Sequence, residues 1–195
     1  KHGFDVFFGY YDQVHAHSFY PPYLIRNSEE VVLEGNVGGR SGKTYSHYRI
    51  MEEGLDFIRA NKEKPFFCYF APAAVHAPHH VSEEWISSFR GQFDDGWDQL
   101  RSKIYERQLK MGIIPPTTKL TPRPEQVPSW SSYPDRYKPV ASRLMEVFSG
   151  FLAHTDAQVN RLFETLDRMG QFENTLVIYL TGDNGASAEG TIHGA

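Results

Sequence analysis

The chain has 195 residues, one cysteine, and a formal net charge of −4 from 20 Lys+Arg against 24 Asp+Glu. A composition of 40% hydrophobic and 23% charged residues is that of a globular chain of one large or two small domains. The charge argues against a general grip on nucleic acid or anionic membrane, and a lone Cys68 excludes an internal disulfide, a multi-cysteine zinc site and an iron–sulfur cluster.

Residues 1–27 are aromatic and irregular, with Phe4, Phe7 and Phe8 available to start a short element and Pro21-Pro22 forcing an extended or turning backbone. A short strand is predicted at Glu30 to Leu33, followed by a mobile loop carrying Gly35, Gly38, Gly39 and Gly42. Met51, Leu55 and Ile58 repeat at helical spacing, which predicts an amphipathic helix from Tyr48 to Ala60. After a polar turn, Pro65 to Ala71 reads as a buried strand. Its core, Phe66 to Ala71, is the longest apolar run and falls far short of the ~20 residues that span a bilayer.

Ser82 to Phe89 suits a short helix with Ser82 as N-cap and Glu83 and Glu84 in the first turn. Trp97 to Met111 reads as a helix closed by Gly112. Residues 113–139 hold seven prolines and read as a long excursion over the surface. It is not a linker, because Ile113, Ile114, Leu120, Val127 and Trp130 need something to pack on. Val140 to Met169 carries the strongest helical pattern and ends at Gly170. Asn174 to Leu180 then reads as a strand apolar on both faces, running into Thr181-Gly182-Asp183-Asn184-Gly185. Helix, turn, buried strand and polar loop together predict an α/β fold: a mostly parallel sheet flanked by helices, with ligands beyond the carboxyl ends of the strands.

Several groups of residues bear chemistry. Asp183 offers a charged oxygen and Asn184 a neutral one, a hard donor pair suited to calcium or magnesium. A strand-terminal turn is the competing reading. His76, just past the first predicted strand, would share the sheet edge with Asp183 and serve as a donor to an anion or as a general acid. His79 and His80 are read as ordinary surface residues, since Pro78 prevents a helix that would gather the three imidazoles. His15 and His17 would share one face of an extended segment, in a supporting or packing role. Asp94 and Asp95 are read as a turn before a helix, Arg40 and Lys43 as solvated cations able to meet an anion, and Cys68 as a packing residue.

These blocks, in their order, resemble the sulfatases of the alkaline-phosphatase-like superfamily, bacterial arylsulfatases above all. Gly3-Phe4-Asp5-Val6-Phe7-Phe8-Gly9 is similar to the family's Gly-Phe-Asp-x-Phe-x-Gly block. The strand begun by Pro65-Phe66-Phe67 and followed by His76-Ala77-Pro78 resembles the family strand and its His-x-Pro. The helix from Phe148 to Leu162 with Asp156, and the strand ending in Asp183-Asn184-Gly185, follow in family order.

The resemblance covers residues 1–195 and implies a partial sulfatase catalytic domain, cut on both sides. It implies Asp183 and Asn184 as ligands of a divalent cation, calcium first and magnesium second, with His76 on the substrate sulfate. The family nucleophile is a formylglycine made from Cys or Ser in Cys/Ser-x-Pro-x-Arg. It is expected outside this segment, as is Lys-x-His-Leu-Gly. Cys68 does not fit the nucleophile motif, and the literal match at Ser132-Tyr133-Pro134-Asp135-Arg136 comes after His76, out of order.

The implied function is a sulfuric ester hydrolase acting on a sulfate-ester small molecule or sulfated sugar, periplasmic or secreted, with the isolated segment inactive. The alternatives are a phosphodiester or phosphonate monoester hydrolase of the same superfamily, and a non-catalytic remnant.

Overall fold

Met51, Leu55 and Ile58 form the buried stripe of a fifteen-residue helix, as their spacing predicts. The computed structural model describes residues 3–181, and these fall into two units: residues 3–82 with 151–179, and residues 83–150 with 180–181. The elements are β1 (Phe8–Gly9), α1 (Gln13–Ala16), β2 (Tyr23–Arg26), β3 (Glu29–Val32), α2 (Ser46–Ala60), α3 (Glu83–Ser87), α4 (Gly96–Lys110) and α5 (Lys138–Arg168). Single 3-10 turns occur at Asp135–Tyr137 and Phe172–Asn174. α5 contributes its first part to the second unit and, from Phe151 onward, its remainder to the first.

In the first unit, β1, β2 and β3 form an antiparallel sheet in that order. Arg26 pairs with Glu29 across a two-residue turn in which Asn27 takes φ 57°, a conformation Asn tolerates. The same Asn27 closes β1: its amide donates to Phe7 O at 2.9 Å, and its Oδ1 accepts from Phe7 N at 3.0 Å. β3 falls within one residue of the predicted strand. β2 was hidden by Pro21-Pro22, which read as a break, although an Asx turn between two β-rich triplets was the available signal.

The glycine-rich segment before α2 is tied at its neck. Buried Asn36 donates from Nδ2 to Pro21 O (3.0 Å) and Thr44 O (2.7 Å), while its Oδ1 accepts from Thr44 N (3.0 Å). α2 starts two residues earlier than predicted, because Ser46 is recruited into its first turn: its amide and hydroxyl both donate to Phe19 O. Phe19, Leu24, Met51, Leu55 and Phe151 complete the core, with the Phe19 and Phe151 rings edge-to-face at 5.2 Å.

The two segments predicted as buried strands carry no regular structure and belong to no sheet among the described residues. Along 66–71, Phe66, Cys68 and Phe70 are half-buried while Phe67 and Tyr69 are 72% and 69% exposed. The covered face lies on α2: Phe66 meets Phe57 at 6.1 Å, and Phe70 lies against Gly54, within 3.4 Å of where a Cβ would stand. Residues 175–181 are almost wholly exposed, Leu176 reaching 86%. The described sheet is antiparallel, and the predicted parallel sheet is not formed among the described residues. Strand pairing needs a neighbour to satisfy the backbone, and no described segment offers one here.

In the second unit the proline-rich excursion packs along α4. Trp97 Nε1 donates to Pro128 O (3.0 Å), Arg101 to Thr121 O and Oγ1 (both 2.7 Å), and Tyr105 OH to Thr118 O (2.7 Å). Asp98 accepts from Trp130 N at 2.7 Å and from Arg123 at 2.9 Å, and the Trp130 amide is the main reason its carboxyl stays below the usual range. Trp97, Trp130 and Tyr133 form one aromatic cluster, and Gly96 (φ 79°) lacks the Cβ that would strike the Trp130 ring. α4 and α5 end at Gly112 and Gly170, as predicted, both with positive φ.

Candidate functional site

The residues that position the site come from the first unit. Past residues 66–71 the chain turns, His76 N donating to Ala73 O at 3.1 Å, and the His76 side chain is exposed. Its Nδ1–H donates to Ala77 O at 2.7 Å. The His17 ring stands edge-on to it, centroids 5.0 Å apart and planes at 90°.

His15 and His17 do not share a face. They lie on and at the end of α1, where residues two apart point in different directions. His15 turns inward: its Nε2 lies 2.8 Å from Tyr23 O, and its ring packs on Tyr10 (5.1 Å) and Tyr23 (4.6 Å). His17 turns toward His76. His79 and His80 are half-buried rather than ordinary surface residues. His79 packs on Phe151 at 6.2 Å; burial, then the neighbouring His76, lowers its pKa. His80 lies near Phe19 and Tyr20, and its carbonyl accepts from Tyr45 OH at 2.7 Å. Burial first, then the Arg40 cation, lowers its pKa. Tyr20 pairs with Gly39, the residue before Arg40.

Beneath the loop a cavity of about 10 Å³ is lined by Tyr10, Phe19, Ser46, His47, Ile50, Pro72 and Ala73. It is about the size of one water. Tyr10 OH and Ser46 Oγ are hydrogen-bonded at 2.5 Å, and burial pushes the phenol up to about 12, so it stays protonated. His47 is 3% exposed, and neither of its ring nitrogens has a hydrogen-bond partner among the described residues. Burial, followed by the facing His154 ring at 5.1 Å, lowers its pKa to about 4 and keeps it neutral.

Asp183 and Asn184 lie outside the described residues. Among the described residues no cluster of three or more His, Cys, Asp or Glu could hold a metal ion. The donor chemistry of an Asp–Asn pair fits a hard divalent cation. Asp156 is exposed on α5. Asp95 pairs with Lys103 at 2.7 Å, immediately before α4. Cys68 is half-buried, and burial pushes its thiol up, the opposite of an activated nucleophile. Ser132 is tied to Ser129, its Oγ donating to the Ser129 carbonyl at 3.0 Å, and Tyr133 is buried, so the literal Ser-Tyr-Pro-Asp-Arg match is a structural turn. The contact between His17 and His76 escaped sequence reasoning because nothing local signals a tertiary approach. No described helix is long and apolar enough to cross a membrane.

The sulfatase family model matches residues 1–195. An arylsulfatase of Klebsiella aerogenes is 32% identical over 166 residues, covering 85% of this chain and 34% of that protein. An uncharacterized sulfatase of Schizosaccharomyces pombe is 31% identical over 180 residues, covering 89% of this chain and 30% of its own length. N-acetylgalactosamine-6-sulfatase of Rattus norvegicus is 30% identical over 119 residues, or 53% of this chain and 22% of that protein. This chain therefore spans about a third of the length of the first relatives it matches. The chain belongs to the sulfatase family, whose fold is the α/β fold of the alkaline-phosphatase-like superfamily.

Proposed function

We propose that this member of the sulfatase family is part of a metal-dependent sulfuric ester hydrolase in which His76 binds the sulfate of the substrate. The observation that carries the reading is the placement of His76. It is exposed in the turn past residues 66–71, with Nδ1–H donating to Ala77 O, and a ring held this way meets an anion as the imidazolium, which has a second N–H to donate. His17 meets its ring, and Arg40 is near enough to lower the pKa of His80, so a chain of net charge −4 has a cation near the histidine loop. Asp183 and Asn184 would hold a hard divalent cation, calcium in preference to magnesium, and such an ion supplies electrostatic stabilisation of charge developing on oxygen. His76 for its part orients the ester and donates to a sulfate oxygen or to the leaving group.

The nucleophile, a formylglycine by family resemblance, lies outside these residues. The substrate class is a sulfate-ester small molecule, aryl sulfates first, or a sulfated sugar. A periplasmic or secreted location accords with the family. The isolated segment is inactive in this reading.

Steady-state rates of the intact protein on 4-nitrophenyl sulfate and on the corresponding phosphate and phosphonate esters test it. The expected result is a preference for the sulfate, abolished by a chelator and restored by calcium. Asp183→Asn should raise the calcium needed for half-maximal rate. A preference for phosphate or phosphonate esters, or rates indifferent to chelation, contradicts the proposal.

A further inference from the structure

The cavity of about 10 Å³ beneath residues 72–73 has room for one water-sized group and no more. Its polar wall is Tyr10, Ser46 and His47, and Phe19, Ile50 and Pro72 make up most of the rest. His47, in the first turn of α2, is 3% exposed, and neither ring nitrogen has a hydrogen-bond partner among the described residues. Its ring lies beside two others, Tyr45 stacked at 6.2 Å and His154 edge-on at 5.1 Å. The Tyr45 hydroxyl is already given to His80 O at 2.7 Å. A buried imidazole with both nitrogens unserved is costly, and folded proteins meet such groups with a protein partner or an ordered water.

The hydroxyls on the same wall have capacity to spare. Tyr10 Oη lies 2.9 Å from Ser18 O and 2.5 Å from Ser46 Oγ, which in turn lies 3.0 Å from Phe19 O. The two carbonyls only accept. Each hydroxyl oxygen has two lone pairs, and among the described residues the sole hydrogen either receives comes from the other. The pair can therefore accept further hydrogens. His47, kept neutral by burial first and by His154 second, has one N–H to give and one lone pair to fill.

We propose that the cavity is a binding site for a single water molecule, which donates to the Tyr10–Ser46 hydroxyl pair and hydrogen-bonds to a ring nitrogen of His47. Volume and lining select water over other small ligands. An organic group does not fit the space. A hard cation needs charged oxygen ligands, and no carboxylate lines the cavity among the described residues. Water both donates and accepts, as spare lone pairs beside a neutral imidazole require, and its three partners here match the usual number for a buried water. The bound water joins the segment after β1, through Tyr10, to the first turn of α2, directly beneath Pro72 and Ala73. It is what allows a histidine to be buried at that point.

The test uses the intact protein. Crystals grown in sodium chloride and in rubidium chloride should show the same peak of water height in the cavity. It should lie within about 2.6–3.2 Å of a His47 ring nitrogen and of Tyr10 Oη or Ser46 Oγ. In solution, water-17O relaxation dispersion should count one long-lived water fewer in His47→Phe than in the parent, because a phenyl ring offers the water nothing to bond. A dry cavity, a side chain from elsewhere in the protein seated in it, or an anomalous rubidium signal at the site would each overturn the proposal. So would an equal count of long-lived waters in the parent and in His47→Phe. If that variant does not fold, the two parent crystals decide the question by themselves.

Discussion

The long helices and the two apolar segments read as strands carry equally strong hydrophobic signals and end in opposite circumstances. α2 buries Met51, Leu55 and Ile58 completely, and α4 and α5 stop at the glycines that the pattern names. Residues 66–71 and 175–181 leave Phe67, Tyr69, Leu176, Ile178 and Leu180 exposed. A helix satisfies its own backbone and needs only one covered face. A strand needs a neighbour for each edge, and a doubly apolar strand needs cover on both faces as well. The helical regions are therefore complete within the described residues, and these two segments are not.

The strongest way to break that contrast is to express residues 1–195 alone. We expect aggregation, dye binding to exposed apolar surface, and no cooperative thermal transition, since unpaired apolar edges associate. A monodisperse monomer with a sharp transition would show that these segments need no partners. Within the intact protein, Phe151→Ala should cost about 3–5 kcal/mol in denaturant unfolding, because Phe151 is fully buried against Phe19 where the core cannot collapse. Phe67→Ala, on the uncovered face of its segment, measures whether that face is covered in the intact protein. A loss comparable to that of Phe151→Ala means that it is.

The buried His47 sharpens the comparison through pH. Its folded pKa of about 4 lies below the unfolded value of 6.5, so the unfolded chain takes up the proton first. Its contribution is fully present above about pH 6.5 and is lost as pH falls toward about 4, roughly 3 kcal/mol at the limit. Unfolding free energies from pH 7 to 4, compared with those of His47→Phe, should show a shallower pH slope in the variant. Asn36→Ala should cost the least, ~1–2 kcal/mol, from three lost hydrogen bonds with Pro21 O, Thr44 O and Thr44 N. An unchanged midpoint in chemical unfolding would show that Asn36 does not hold the loop.

What was legible in the sequence follows the same division. Helical periodicity and C-terminal glycines are local, so α2, α4 and α5 were readable to within two residues. The antiparallel sheet was half-read: β3 was expected, but β2 was masked by Pro21-Pro22 and depends on Asn27 adopting positive φ. The buried strands were expected from composition, and composition does not say who pairs with them. His76 was singled out by His-Ala-Pro after an apolar run, and the structure places it exposed in a turn. The His17–His76 contact was not, because it is a tertiary approach that no local pattern signals.

The most direct test of the account is the kcat/KM of the intact protein on 4-nitrophenyl sulfate with His76 replaced by Ala. The account predicts a fall of roughly a hundredfold or more with the fold intact, as loss of a group that contacts the reacting anion requires. A His76→Ala enzyme within about twofold of the parent would contradict it, and the histidine loop would then be packing without chemistry.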